Sequence, residues 1–278
     1  MESPRELKRR LASIRTTGQL AGAMRTVASA RYSRLSALSG PYAEYVKALE
    51  SMCMRLGLTD DTGESCGEVP ECWVLVGADR GLCGAYNSEL FSYFDREYEK
   101  CAVRPLVAVS GKMARAHCAA KGIETAAVFS FSALPTYQEA AKAADVLSGL
   151  CDSGRVGCVR LVRQRPVNMM LQVPETVMLC TCARTVPPAE TEGGYYCMPD
   201  AGAIAGALSA ARVRCGMYAL MLECSEGAAA ATVMAMRQAS DNASKTAEAL
   251  KLKINRLRQS RVTAEVLETS SAGDGEGW

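Results

Sequence analysis

Leu7, Leu11 and Ile14 open an apolar stripe at steps of four and three, and Gly18 and Ala21 continue it with small residues. That spacing marks one face of a helix packed against another helix. Ser3 stands where an N-cap is needed, with Pro4 at the first helical position and Glu6 three residues after the cap, the arrangement of a capping box. Gly40-Pro41 should end or kink the helix, yet Tyr42, Tyr45, Val46, Leu49 and Met52 resume its period as far as Leu58. The pattern predicts one long bent helix, or two in series. Thr59 to Pro70 is polar, contains Gly63 and Gly67, and reads as a linker.

From Glu71 the pattern changes. Cys72–Val76 (C-W-V-L-V) predicts a buried strand, followed by a helix over Ser88–Lys100, a strand over Pro105–Val109, a helix over Lys112–Lys121, a strand over Ile123–Phe129 and a helix over Thr136–Leu150. Strands alternating with helices of this length indicate a parallel sheet in an α/β unit. Val156–Arg163 and Val167–Gln172 flank Gln164-Arg165-Pro166 and precede Thr176–Cys182, which predicts antiparallel edge strands joined by tight turns. The unit should end near Pro187-Pro188, with a polar connector over Thr191–Asp200.

Residues 201–268 lack proline and predict a single long helix. Met236, Ser240, Ala243, Ala247, Leu250, Ile254, Leu257, Arg261 and Ala264 follow heptad spacing. At 1.5 Å per residue such a helix would be roughly 100 Å long, unless Gly216 and Gly227 bend it. The predicted fold is α/β, a long antiparallel two-helix coiled coil from the N- and C-terminal helices with an inserted Rossmann-like domain. The expected divisions are 1–58, 71–188 and 201–268, with a tail at 269–278.

Composition narrows the chemistry. The chain has 278 residues, 49% hydrophobic content and a net charge of +2, enough for a real core and too neutral for a globally basic nucleic-acid binder. Charge is nonetheless concentrated: Arg5, Lys8, Arg9, Arg10, Arg15, Arg25, Arg31 and Arg34 face only Glu2 and Glu6 before Gly40, and seven basic residues face Asp241 and Glu248 over 237–261. Tyr32 is the only aromatic residue before Gly40, which argues against single-strand binding. Thirteen cysteines without a C-x-x-C pair, beside the single His117, give no zinc pattern and no disulfide framework. Reduced thiols packed as small hydrophobes, in a cytosolic setting, are expected. No run reaches the roughly 18 consecutive apolar residues of a membrane span.

The glycine-rich stretch V-G-A-D-R-G-L-C-G-A-Y-N, Val76–Asn87, raises the question of a phosphate loop. A Walker loop needs Gly-Lys-Ser/Thr, but Gly84 precedes Ala85-Tyr86. A dinucleotide fingerprint needs G-x-G-x-x-G and a later acid, but Gly77, Gly81 and Gly84 have other spacing and Cys101–Arg104 offers no acid. A turn between strand and helix is the favoured reading. His117 lies in a helical stretch, with nothing to tie it to a nucleophile.

Three stretches carry a resemblance. K-R-R-L-A-S-I-R-T-T-G-Q-L-A-G-A-M-R-T-V-A-S-A-R (Lys8–Arg31) resembles the N-terminal helix of the gamma subunit of F-type ATP synthases. A-M-R-Q-A-S-D-N-A (Ala235–Ala243) and Leu250–Glu268 resemble its C-terminal helix, and A-D-R-G-L-C-G-A-Y-N is similar to its central signature, with Asp79, Arg80, Gly81, Gly84 and Asn87. The resemblance implies a central-stalk rotor without catalytic, cofactor-binding or metal residues. It further implies three alpha and three beta subunits, an epsilon subunit and a c-ring as partners, and a membrane reached only through them. By position it implies that Arg258, Gln259, Thr263 and Glu265 engage the beta subunit and that Met24 is coupling-sensitive. Lys8, Arg9, Arg10 and Arg31 would meet acidic residues of the ring. The chain departs from the family's pattern at Thr232, where an arginine is usual, at Gly18 and Gly22, and in its polar tail. The lack of a transit peptide suggests the cytoplasmic face of a bacterial plasma membrane. A nucleotide-binding α/β protein and a basic coiled-coil nucleic-acid binder are the alternatives.

Overall fold

A computed structural model of the chain describes residues 3–56, 58, 69–181 and 201–273. Most of the predicted linker, the end of the α/β unit at Pro187-Pro188 and the connector at 191–200 lie outside these residues. By their internal contacts the described residues form two compact units, one from 28 to 234 and one of residues 3–27 with 235–273.

Helix α1 spans Pro4–Arg55. Its capping box is present: the Glu6 N–H donates to Ser3 Oγ at 3.2 Å, and the Ser3 N–H to Glu6 Oε2 at 3.3 Å. Leu7, Ala21, Ala28 and Leu35 are buried along its inner face. Of the two expected arrangements, one long helix or two in series, the structure has the first, and α1 runs through Gly40-Pro41. Pro41 removes one helical hydrogen bond, to the Ala37 carbonyl, but both residues are on the solvent side, where water can satisfy the freed carbonyl. The next inward residue, Tyr42, packs edge-on against Tyr218 with ring centroids 4.7 Å apart.

The sheet contains β1 (Cys72–Val76), β2 (Leu106–Ser110), β3 (Thr125–Phe129), β4 (Cys158–Pro166) and β5 (Gln172–Thr181) in the order β3-β2-β1-β4-β5. β1 to β4 pair in parallel, and β5 is antiparallel on β4. Helices α2 (Tyr86–Lys100), α3 (Lys112–Ala120) and α4 (Tyr137–Asp152) alternate with the strands. α5 covers Ala201–Gly273. Alternation along β1 divides the core between the two faces of the sheet. Cys72, Val74 and Val76 pack with Ala144 and Leu147 of α4 and with Met217 and Met221 of α5, whereas Trp73 and Leu75 pack with Leu90 and Phe94 of α2 and Cys118 of α3.

One predicted strand is a turn. Val167–Gln172 was expected to be extended, but 167–171 forms the β4–β5 hairpin loop, and Gln164-Arg165-Pro166, expected to be the turn, completes β4. Asn168 decides this, because its Oδ1 accepts from the N–H groups of Met170 and Leu171 at 2.8 and 2.9 Å, bending the chain at that point.

α5 continues through both glycines as one helix. A Cβ on Gly216 would meet Leu179 at 3.7 Å, and one on Gly227 would meet Tyr86 at 3.5 Å, ordinary packing distances. By length and composition α5 could cross a membrane, but half of its most apolar window is buried against the rest of the protein. In the smaller unit the heptad residues Met236, Ala247 and Leu250 are buried, and Ile254 and Leu257 half-buried. Arg261 and Ala264, predicted to continue the seam, are exposed. Gly18 faces Ala243, with 3.1 Å left for a Cβ. Counting antiparallel from that pair, Leu257 stands opposite Pro4, where α1 begins, so among the described residues the seam beyond it has no partner helix.

Candidate functional site

In a doubly wound sheet the ligand crevice lies outside the carboxyl ends of the strands, where successive crossovers part to opposite faces. Here that point lies between β1 and β4, with α2 leaving to one face and α4 arriving from the other. The signature stretch Ala78–Asn87 forms its rim.

The turn is held by the protein itself. The Gly77 N–H donates to the Ser110 carbonyl at 2.9 Å, extending the ladder past β1. Buried Asn87, in the first turn of α2, accepts from the Ala78 N–H at 2.9 Å through Oδ1, and its Nδ2 donates to Cys83 Sγ. Asp79 Oδ1 accepts from the Lys112 N–H at 3.0 Å, so the N-terminus of α3, where an anion could bind, already holds a carboxylate. Gly84 has φ +60°, which suits glycine. Gly81 has open space around it and needs no glycine for packing. Arg80 is exposed.

The crevice is filled by α5. Tyr86 is buried; its hydroxyl donates to the Cys224 carbonyl at 3.1 Å, and its own carbonyl accepts from Gln164 Nε2 at 3.0 Å. Cys83 and Tyr86 pack on Ala231 with Ala228 beside them. Burial pushes the Tyr86 hydroxyl well above its ordinary range and the Cys224 thiol up to about 11. Next to Tyr86, Arg163 is 5% exposed; its Nη2 lies 2.8 Å from Glu175 Oε1 on β5, and its Nη1 donates to Glu223 of α5. Burial works against the arginine's charge, and Cys224, Glu223 and Glu175 outweigh it, raising its pKa above the usual value. Sequence reading missed this cluster, because its members lie far apart along the chain and form no local motif. The arrangement clamps α5 against the switch point.

His117 is likewise occupied structurally. Its Nε2 lies 2.8 Å from Asp95 Oδ1, its ring stacks on Phe91 at 4.4 Å, and Lys121 Nζ is 2.9 Å from the other Asp95 oxygen. These contacts tie α2 to α3. The cysteines behave as small hydrophobes: burial pushes Cys72 up to about 12 and Cys118 up to about 11.

The predicted partner-contact residues divide by position. Arg258, Gln259, Thr263 and Glu265 form an exposed stretch of α5, beyond or at the end of the paired seam. The Thr263 hydroxyl donates to the Gln259 carbonyl at 3.0 Å, and Glu265 Oε1 accepts from Arg261 Nε at 2.9 Å. Lys8, Arg9 and Arg10 are exposed on the first turns of α1, Met24 is half-buried in the same unit, and Arg31 is half-buried in the larger one. The two groups are therefore brought to helix surfaces and not into a pocket.

Comparison with known proteins agrees with this geometry. The family described as ATP synthase matches residues 3–273. The chain is similar to the ATP synthase gamma chain of Desulfitobacterium hafniense, 30% identical over 96% of this chain and 97% of that one. It is 27% identical to the gamma chain of Rubrobacter xylanophilus over 99% and 98% of the two. A chain in the Euglena gracilis mitochondrial ATP synthase, OSCP/F1/c-ring, has the same fold, with a TM-score of 0.68 at 15% identity over 99% of this chain and 97% of that one. So does one in the Tetrahymena thermophila mitochondrial ATP synthase central stalk and c-ring, with a TM-score of 0.65 at 15% identity over 80% and 99%.

Proposed function

The chain belongs to the gamma-chain family of ATP synthase, and from that membership we propose how it works. It is a central-stalk rotor subunit that couples proton transport to ATP synthesis and carries no active site of its own. Its partners are alpha and beta subunits, an epsilon subunit and a c-ring, and it associates with the membrane through them, at the cytoplasmic face of a bacterial plasma membrane. The α/β unit, within 71–188, is the driven body, and the helical segments 1–58 and 201–268 form the shaft, with 269–278 at its tip. An asymmetric shaft can set three equivalent catalytic sites into different states only by touching each differently.

One observation supports the non-catalytic reading above the others: α5 fills the switch-point crevice of the α/β unit, through Tyr86 and Cys224, where a nucleotide would otherwise bind. Arg258, Gln259, Thr263 and Glu265 would meet the beta subunit, with Met24, Lys8, Arg9, Arg10 and Arg31 contributing from α1. Polar side chains fit a contact that forms and releases on each turn, since a large apolar contact would hold the rotor in one place. Of the signature residues, Gly84 and Asn87 shape the turn that brings Cys83 and Tyr86 onto α5, Asp79 caps α3, and Arg80 and Gly81 complete the exposed turn.

The test is co-purification of the tagged chain from its own cells. Alpha and beta subunits in threefold excess over it are expected. A stable monomer that ignores both would overturn the reading, and nucleotide binding by the isolated chain in calorimetry would favour the enzyme alternative.

A further inference from the structure

We propose that the Arg163–Glu223 pair is the torsional lock between the α/β unit and α5, with Arg163 a positioning residue for torque transfer. The inference rests on the rotor reading and concerns how the body grips the shaft. Apolar contact between the sheet and Val213, Met217 and Met221 resists separation, but it is non-directional and resists turning or sliding of the helix weakly. Directional bonds must supply the rest.

Among the described residues, the polar links from α5 to the α/β unit include Arg214–Asp145, Tyr86–Cys224 and Arg163–Glu223, beside a hydrogen bond between Tyr137 of α4 and the Cys215 thiol. Arg214–Asp145, at 2.6 Å, has both side chains exposed, 42% and 53%, so solvent screens it. The Tyr86 hydroxyl reaches the Cys224 backbone carbonyl, an acceptor that every residue of the helix offers. The Arg163–Glu223 bond differs from both. Its donor side chain is 6% exposed, its acceptor is one side chain at one angle of the helix, and it is charge-assisted. The guanidinium is held from the other side as well, because Arg163 stands opposite Glu175 in the β4–β5 register and is bound to its carboxylate at 2.8 Å. A fork bound to two carboxylates on two elements has little freedom to follow a turning helix. Rotation of α5 by one residue, about 100°, would carry Glu223 off the fork and leave a buried guanidinium short of a partner, which is strongly unfavourable. Residue 223 lies on the same helix as Arg258 and Gln259, since α5 runs unbroken to Gly273.

The experiment uses the whole ATP synthase in membrane vesicles, carrying the wild-type chain, Glu223→Gln or Asp95→Asn, and reads protons pumped per ATP hydrolysed together with the melting temperature. Both variants remove one carboxylate from an ion pair and should lower the melting temperature, but only Glu223 belongs to the lock, whereas Asp95 ties α2 to α3. Glu223→Gln is expected to reduce the pumping-to-hydrolysis ratio by about fivefold, the lower end of typical coupling effects, and Asp95→Asn to leave it at the wild-type value. If Glu223→Gln lowers assembly, Glu223→Asp, which keeps the charge on a shorter arm, is read per assembled complex and should fall between. A wild-type ratio in Glu223→Gln, or an equal fall in both variants, overturns the lock. A wild-type chain that never enters a proton-pumping complex overturns the rotor reading instead.

Discussion

The Tyr86 hydroxyl, wholly enclosed by the protein, donates to the backbone carbonyl of Cys224 at 3.1 Å, joining the first residue of α2 to α5 across 138 positions of sequence. Tyr86→Phe keeps the ring against Gly227 and removes only this bond. Because phenylalanine leaves no donor unsatisfied, the expected cost is modest, about 1 kcal/mol, read as a lower urea midpoint at unchanged slope. A loss several times larger would mean that the hydroxyl supports more than one partner.

The glycines around the signature turn are not equivalent. Gly111 has φ +94°, and a Cβ there would lie 2.2 Å from the Gly77 carbonyl oxygen. Gly81 has nothing within 4 Å of a Cβ. Gly111→Ala should therefore cost more than about 3 kcal/mol or abolish soluble expression, and Gly81→Ala should change stability by no more than about 0.5 kcal/mol. Thermal melts of the two variants check the contrast, and equal melts would refute it.

Much of the α/β unit was legible because its central strands β1 and β2 are buried on both faces and read as short apolar runs between helices, C-W-V-L-V above all. The same rule misled at V-N-M-M-L. That run is apolar, but it is a hairpin tip with Met170 77% exposed, and its one local sign is Asn168. At Pro41 the sequence left one helix or two open, and the single helix fits a breaker whose lost bond faces water. Arg163 and Glu223 could not be found at all. They lie sixty positions apart, and only the packing of α5 onto the sheet brings them together.

Asp95 connects α2 to α3 through His117 and Lys121. Burial alone would raise its carboxyl, but the hydrogen bonds from His117 and then Lys121 outweigh that and hold it below its ordinary 3.8. A carboxyl depressed in the folded state contributes stability that is complete above its unfolded value and is lost as pH falls through the folded one. The stability gap between the wild type and Asp95→Asn should thus be largest near neutrality and close as the pH drops below about 4. Urea titrations at several pH values test it; a gap that stays constant into acid would show that Asp95 acts without its charge.

Gly18 and Gly22 sit one helical turn apart on α1, yet alanine should act oppositely at the two. At Gly22 nothing lies within 4 Å of a new Cβ, so Gly22→Ala gains helix propensity and should stabilise by up to about 1 kcal/mol. At Gly18 the new Cβ would be 3.1 Å from the Ala243 Cβ, tighter than normal contact, and the helices must part to accept it. Gly18→Ala should fall short of the Gly22→Ala gain by at least about 1 kcal/mol, and the shortfall should vanish when Gly18→Ala is made on an Ala243→Gly chain, itself less stable by the propensity that the new glycine gives up. Thermal melts of these variants decide; the same gain at both sites would mean that the helix pair is looser than this spacing.

Arg258 and Gln259 are exposed on α5 past the point where α1 begins opposite it, so their side chains are spare for a partner and carry little of the fold. Arg258→Glu together with Gln259→Ala should leave the melting temperature of the chain nearly unchanged, since exposed changes away from packing move stability by about 0.5 kcal/mol or less. The functional effect should be far larger. At the proposed contact with the beta subunit a reversed charge adds repulsion in place of attraction, and proton-driven ATP synthesis by vesicles carrying the double variant is expected to fall by about fivefold or more. Raising the salt should narrow the difference, because the lost and added interactions are both screened. Unchanged synthesis at low salt would mean that this stretch of α5 does not meet the beta subunit, and that the contact lies elsewhere on the shaft.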